Sequence, residues 1–376
     1  MSRQLIGIDF HSWDGIYQGS RSHLLGIYRA AIQLAPEFDF IFFLHDTEGL
    51  LRHFPEFDRP NVRLVKVKRW PSFLRLSLQL PWLSCQHRLD LLHMQYRVPL
   101  WFRGEAACTI HDVLNESHPQ FFSWAFNQFS RLAAAYSVRQ CKTLLTVSQY
   151  SRQELADRHG VALGRIGVTY NGVDPQRFFT ATHAQASDFQ LLQRLNLTSG
   201  QYVLTVGRLE PRKNQANLIR AWGALPQPAP PLVVVGQRHF SFQDIYTAQS
   251  EVGRPVMFLH DVGDHELPIL MRHAKLFAYP AYAEGFGMPI IEALASGVPV
   301  VTSNTTAMPE IAGTHAILVD PTQVASIRDG LAAGLALSGA EKETVIAAGL
   351  AQAAAFNWDS SASVLIDRFR LALRHR

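Results

Sequence analysis

Short apolar runs alternate with longer stretches of helical pattern along the whole chain. In the first half the runs are RQLIGIDF, FDFIFFL, NVRLVKV, LDLLHM, ACTIHD and KTLLTVS; in the second they are QYVLTVGR, PPLVVVGQ, PVMFLHD, LFAYPA, VPVVTS and AILVD. Each is almost continuously apolar, as a strand covered on both faces must be, and the intervening helices supply the cover. The pattern therefore predicts an α/β protein with one open parallel sheet in each half, that is, two Rossmann-like, doubly wound domains. The change of domain is expected near 175–200, with the boundary drawn at 178, where the strand and turn VTYNGVDPQRF give way to the polar segment TATHAQASDFQ. One segment stays open: LRLSLQL alternates like a strand but stands where a crossover helix belongs. Ligands of such sheets lie beyond the carboxyl ends of the strands, which places the expected active site in the cleft between the domains.

Composition sharpens this picture at three points. A chain of 376 residues with 47% apolar content can fill two cores of ordinary size. Cys85, Cys108 and Cys141 form no C-x-x-C pair and are odd in number, so neither a disulfide framework nor a zinc site is expected, and a reducing, cytoplasmic setting fits. MSRQLIGIDF runs directly into a strand, and no apolar run approaches the roughly 18 residues of a spanning helix, so a soluble or peripheral protein is expected.

Charge is distributed unevenly. Residues 1–178 hold 20 Lys/Arg and 15 Asp/Glu (net +5), and residues 179–376 hold 15 and 16 (net −1). Between 60 and 103, eight basic residues face only Asp90. Within 63–88 they interleave with Trp70, Phe73, Leu74, Trp82 and Leu83, a composition suited to an anionic membrane surface; the plainer alternative is a solvated basic face beside a core helix. No dense basic stripe or nucleic-acid motif accompanies the pI of about 9.0, so nucleic acid is not expected as a partner.

Candidate chemistry concentrates in AEGFGMPIIEALASGVPVV, residues 283–301. Glu284 follows a buried strand, Gly285 and Gly287 permit a sharp turn, and Pro289 suits the start of a helix that Gly297 stops. A helix start reached by a glycine turn offers backbone N–H groups and a positive dipole end to a phosphate. Glu292, one turn in, is suited to accept hydrogen bonds from the two hydroxyls of a ribose. The spacing thus fits a nucleotide, with whatever hangs from its second phosphate beside Glu284. In VLTVGRLEPRKNQANLIRAW, Arg208 and Lys213 stand five apart before a helix, two cations suited to hold a diphosphate and stabilise it as a leaving group, while Arg212 reads as solvated. Gly19 lies between the first strand and first helix, at a position that reaches the same cleft, without the G-x-G-x-x-G fingerprint. His111 ends the strand of ACTIHD, a place for which packing gives no reason and from which an imidazole can bond a sugar hydroxyl. No Asp-x-Asp occurs, so no metal clamp and no cofactor is expected.

Together GRLEPRKN, EGFGMPIIEALASGVPVV, TAMPEIAG, TIHD, VSQYSRQEL, NGVD and the late FNW resemble family 4 of the glycosyltransferases, retaining enzymes of GT-B fold, over nearly the whole chain. The resemblance implies an acceptor domain over 1–178, a nucleotide-sugar domain over 179–357, and a last helix, about 358–376, that returns to the first domain. It implies that Glu284 sits by the donor sugar, that Glu292 holds the ribose, and that Arg208 and Lys213 bind the diphosphate. It further implies that Gly19 forms the N-terminal glycine loop, that His111 touches the transferred sugar, and that backbone groups of Phe286, Gly287 and Met288 meet sugar and phosphate. Val262 falls in the segment expected to recognise the base, next to His260, where many relatives carry glycine. The YQGSRSHL stretch and the overall pattern lean toward a mannosyltransferase using GDP-mannose on a lipid-linked or saccharide acceptor in surface polysaccharide assembly, O-antigen included. A UDP-hexose donor, a phosphorylase of similar architecture and a non-catalytic nucleotide-sugar-binding scaffold are the alternatives. A lipid-linked acceptor would set the 63–88 segment on the inner face of the membrane.

Overall fold

The apolar runs of the first half become six strands of one parallel sheet: β1 (Gln4–Asp9), β2 (Phe38–Leu44), β3 (Val62–Lys66), β4 (Leu91–Gln95), β5 (Ala106–Thr109) and β6 (Thr143–Thr146). A seventh, β7 (Ile166–Val168), closes the order β3-β2-β1-β4-β5-β6-β7. These are features of a computed structural model that describes residues 3–15, 19–99, 102 and 104–374. Tyr17, Gln18 and Arg103, which figure in the sequence reading, lie outside the described residues.

Strand β2 shows why the runs read as they do. Phe38, Phe40, Phe42 and Leu44 enter the core on one face of the sheet, while Ile41 and Phe43 enter the core on the other. The helix Trp358–Leu373 covers the first of these faces beside the helix Gly19–Leu34, burying Ala362, Leu365, Ile366, Phe369, Ala372 and Leu373 at helical spacing. Trp358 fills the space that Gly26 and Gly172 leave open: a Cβ on either glycine would lie 2.2 Å or 2.8 Å from its atoms.

The ambiguous LRLSLQL segment is helical. It runs through Ser72–Leu74 and a wide turn at Arg75–Gln79 into the helix Leu80–His87. Leu, Arg and Gln are good helix formers and the segment holds no β-branched residue, so propensity overrides the local alternation. Leu80 and Leu83 face the core, whereas Leu74, Leu78 and Trp82, four apart, face outward.

The second half forms a separate six-stranded parallel sheet of β8 (Val203–Val206), β9 (Leu232–Val235), β10 (Met257–Leu259), β11 (Leu276–Tyr279), β12 (Val300–Ser303) and β13 (Ile317–Val319), in the order β10-β9-β8-β11-β12-β13. Two compact units result, one made of the chain up to Gly172 and from Asn357 onward, the other of Val173–Phe356. Residues 173–178 belong to the second because its groups hold them: the Val173 N–H donates to the Phe356 carbonyl at 3.2 Å, and Arg177 Nη2 to the Asp264 carbonyl at 2.9 Å. In each sheet the strand order reverses beside its first strand, between β1 and β4 and between β8 and β11, which is where an open parallel sheet leaves room for a ligand. The three cysteines are free thiols, two of them buried.

Candidate active site

The second reversal point is built by the loops after β8 and β11. At the ends of β8 and β9 the backbone of Gly236 presses on that of Gly207: a Cβ on Gly236 would stand 2.0 Å from the Gly207 carbonyl oxygen. Beyond Gly207 the chain passes Arg208 and makes a short turn, Pro211–Lys213, ending at Asn214 in the left-handed region. The Asn214 carboxamide donates to the carbonyls of Pro280 and Pro321, both at 2.8 Å, and so ties this loop to the exit of β11.

That tie brings the cations onto Glu284. Its Oε1 accepts from Lys213 Nζ at 2.5 Å, Arg212 Nη1 at 2.8 Å and the Tyr279 hydroxyl at 2.9 Å. The Glu284 N–H donates to Thr306 Oγ1 at 3.1 Å, fixing the backbone as well. Burial pushes the carboxyl pKa up, but the charges of Arg212 and Lys213 outweigh burial and hold it at about 2. Burial works on Lys213 in the opposite sense and lowers its pKa, with Glu284 pulling back up and Arg212 adding to the fall.

Arg212 corrects the sequence reading. Its side chain is only 13% exposed and spans two carboxylates, Glu284 and, at 2.8 Å through Nη2, Glu210. Arg208 is the more available cation. Its side chain is 39% exposed, its Nη1 meets His239 Nε2 at 3.3 Å, and Glu210 stands 3.9 Å from its Nη2. Arg208, Lys213 and Glu284 thus share one charged network joined through Glu210 and Arg212.

Beside it lies the glycine turn. Gly287 adopts φ +98° as the residue before the helix Met288–Ala295, with Pro289 in the first turn and Phe286 buried edge-on against Phe356. Left-handed backbone there lets the helix start directly after the turn, its positive end next to the cationic loop. Glu292 is partly exposed on this helix, and its carboxylate finds no hydrogen-bond or ion-pair partner among the described residues. Burial raises its pKa to about 7 against the opposing charge of Arg177. Two glutamates eight residues apart are therefore in opposite states, one clamped and ionised, the other unpartnered and near its titration point.

Val262 lies half-buried in the loop after β10. His260, the departure from the family pattern, is rooted in the protein: Nδ1 meets the Gly236 carbonyl at 2.8 Å, and Nε2 the Tyr246 hydroxyl at 3.3 Å, which also accepts from Arg238 Nε at 3.0 Å.

Gly19 and His111 belong to the first unit. A Cβ on Gly19 would meet nothing within 4 Å, so packing within the unit does not demand glycine there. His111 follows β5, is 6% exposed, and leaves Nε2 buried without a partner among the described residues. Its ring stacks on Tyr96 and meets His23 edge-on, and burial together with His23 and His93 drives its pKa well below the usual histidine range. At the carboxyl end of the same sheet Asp9 pairs with Arg75 and His11, whose charges overcome burial to keep it ionised. The sequence gives no site role to His23, Asn171, Arg75 or Glu210; the partners of the first three lie far along the chain, whereas Glu210 holds Arg208 and Arg212 two residues to either side.

Residues 18–177 match the model of glycosyltransferase family 4, and residues 190–348 that of glycosyl transferases group 1. O-antigen chain mannosyltransferase B of Escherichia coli is 31% identical over 271 residues, 71% of this chain and 70% of that relative. O-antigen chain mannosyltransferase RfbU of Salmonella typhimurium is 30% identical over 217 residues, 57% of this chain and 56% of that relative. Among solved structures, Anabaena HepE in complex with UDP and glucose superposes with a TM-score of 0.75 at 20% identity, covering 98% of this chain and 99% of that one, a likeness of fold. The chain belongs to the glycosyl transferases of group 1, family 4, and is a hexosyltransferase of GT-B fold that moves sugar from a nucleotide-sugar donor to a glycan acceptor in polysaccharide biosynthesis.

Proposed function

We propose that the protein is a retaining mannosyltransferase that uses GDP-mannose to extend a lipid-linked glycan of a surface polysaccharide of the O-antigen type. The O-antigen mannosyltransferases of similar sequence support the sugar and the setting. The observation that carries the chemistry is the unlike pair of glutamates. Glu292, unpartnered, is the acceptor for two ribose hydroxyls; Glu284, held rigid and negative, stands where positive charge builds up on the sugar.

In this reading the bond between the anomeric carbon and the diphosphate breaks, and the electron pair leaves with the phosphate. Arg208, Lys213 and the helix start at 287–290 neutralise that charge, a contribution of about 3–4 kcal/mol per well-placed donor. The acceptor hydroxyl attacks from the face the phosphate leaves, and its proton passes to the departing phosphate oxygen. The anomeric configuration is thereby kept. His111, neutral, bonds a hydroxyl of the sugar. No step is routed through a metal, because the protein's own cations face the diphosphate.

A thermal-shift screen tests the donor. GDP-mannose is expected to raise the melting temperature strongly, and UDP-hexoses weakly. A strong response to a UDP-hexose alone would replace mannose with that sugar.

Glu292 also gives a pH signature. Its raised pKa means that the fold favours the protonated form, so this group's stabilising contribution is present at acid pH and is lost as pH rises through about 7. Ribose binding instead draws on the ionised carboxylate. GDP-mannose, whose diphosphate does not titrate in this range, is therefore expected to bind more tightly as pH rises through about 7, and Glu292→Gln is expected to remove that dependence. Calorimetric titration across this range checks both; an unchanged pH profile in the variant contradicts the assignment.

The 63–88 segment supports peripheral membrane binding. Phe73 and Trp82 are 68% and 62% exposed, and Arg63, Lys66, Lys68 and Arg69 of the same segment are exposed as well. No helix of the described residues is long and apolar enough to cross a membrane. Co-sedimentation with anionic vesicles is expected to weaken as salt shortens the screening length from about 10 Å toward about 3 Å. Absent or salt-insensitive binding counts against the contact.

A further inference from the structure

His23 is fully buried on the helix Gly19–Leu34 and has no part in the mechanism above. Its Nδ1 stands 2.9 Å from Asn171 Oδ1. A carboxamide oxygen only accepts, so Nδ1 carries the proton and Nε2 is left with a lone pair. Burial lowers the pKa to about 4 despite the Asn171 bond, which keeps the ring neutral near pH 7. Among the described residues Nε2 of His23 is buried and unpartnered, and so is Nε2 of His111, whose ring meets that of His23 at a centroid distance of 4.9 Å and an angle of 77°. Buried ring nitrogens without partners are rare, and two on touching rings are poorly explained by packing alone.

We propose that Asn171 and His23 set the tautomer of His111, so that His111 offers its Nδ1 lone pair to a hydroxyl of the transferred sugar. Asn171 leaves the lone pair of His23 on Nε2. In this dry cluster of touching rings a second lone pair, on His111 Nε2, would add to the electrostatic repulsion, and a proton at that nitrogen relieves it. Neutral imidazole has one proton, and placing it on Nε2 leaves Nδ1 free to accept. Tyr96, stacked on the His111 ring at 5.0 Å and 28°, holds it against turning over. His23 touches no substrate; it is a positioning residue. The inference rests on the reading of His111 as a sugar contact.

Long-range nitrogen–proton NMR on the intact protein, with histidine labelled, reads the tautomer without any variant. His111 is expected in the Nε2–H form. In His23→Phe and in Asn171→Leu that preference is lost, while His23→Gln, which keeps a buried acceptor, retains it. Steady-state transfer by His23→Phe is expected to fall about tenfold in kcat with KM for the donor little changed, the size usual for losing the partner that orients a functional histidine. An Nδ1–H tautomer in the unaltered protein, or an unchanged His111 signature in both His23→Phe and Asn171→Leu, overturns the proposal and leaves the glycosyltransferase reading intact. A changed tautomer with unchanged kcat overturns it too, and counts in addition against His111 as a sugar contact.

Discussion

Glu284→Gln is expected to lose transfer by about 10²–10³-fold and, in addition, to lower the melting temperature of the free protein. Sequence alone suggests a clean catalytic knockout with the fold intact. The structure does not, because Arg212 and Lys213 both rest on this carboxylate and are largely buried. An amide of the same shape keeps one acceptor oxygen but removes the counter-charge. Stripping one partner from a buried ion pair costs about 3–5 kcal/mol, on the order of 10 °C for a unit of this size. Glu210 still holds Arg212, so the loss falls mainly on Lys213. Activity and thermal unfolding are to be measured together. Near-normal transfer, or lost transfer at an unchanged melting temperature, would show that the carboxylate is not held as described.

Arg208→Ala is expected to behave differently: kcat falls by about 10²–10³-fold while the melting temperature stays within a degree or so. Arg208 is the exposed member of the network, and Glu210 keeps Arg212 as a close partner without it. What the side chain supplies is positive charge toward a leaving diphosphate, an interaction strongest in the transition state, so kcat should carry more of the loss than KM. A variant with full activity, or one that loses stability as Glu284→Gln does, contradicts this division of labour.

The contrast between the two arginines shows where the sequence is legible. Arg208 and Lys213 stand out because a strand-loop-helix pattern positions them, and every apolar run marked as a strand is one. Arg212 reads as solvated in the sequence because one of the two carboxylates it spans, Glu284, lies 72 residues away, on a different strand exit. Likewise His23 meets Asn171 across 148 positions, and no local pattern reports such a pair. Alternation misleads at LRLSLQL because Leu74 and Leu78 on an outward helical face imitate a strand, while good helix formers and the core contacts of Leu80 and Leu83 set the helix. Local patterning thus exposes elements and the residues at their ends. Buried charge networks, which settle which cation is free, require the fold.

If a donor's diphosphate is bound by Arg208, Lys213 and the helix start after Gly287, with the ribose on Glu292, a crystal structure with an unreactive donor analogue will show phosphate oxygens within about 3 Å of both side chains and of the Met288 amide, and two ribose hydroxyls on the Glu292 carboxylate. A diphosphate bound elsewhere, with Lys213 still on Glu284 and Glu292 still unpartnered, would contradict that placement.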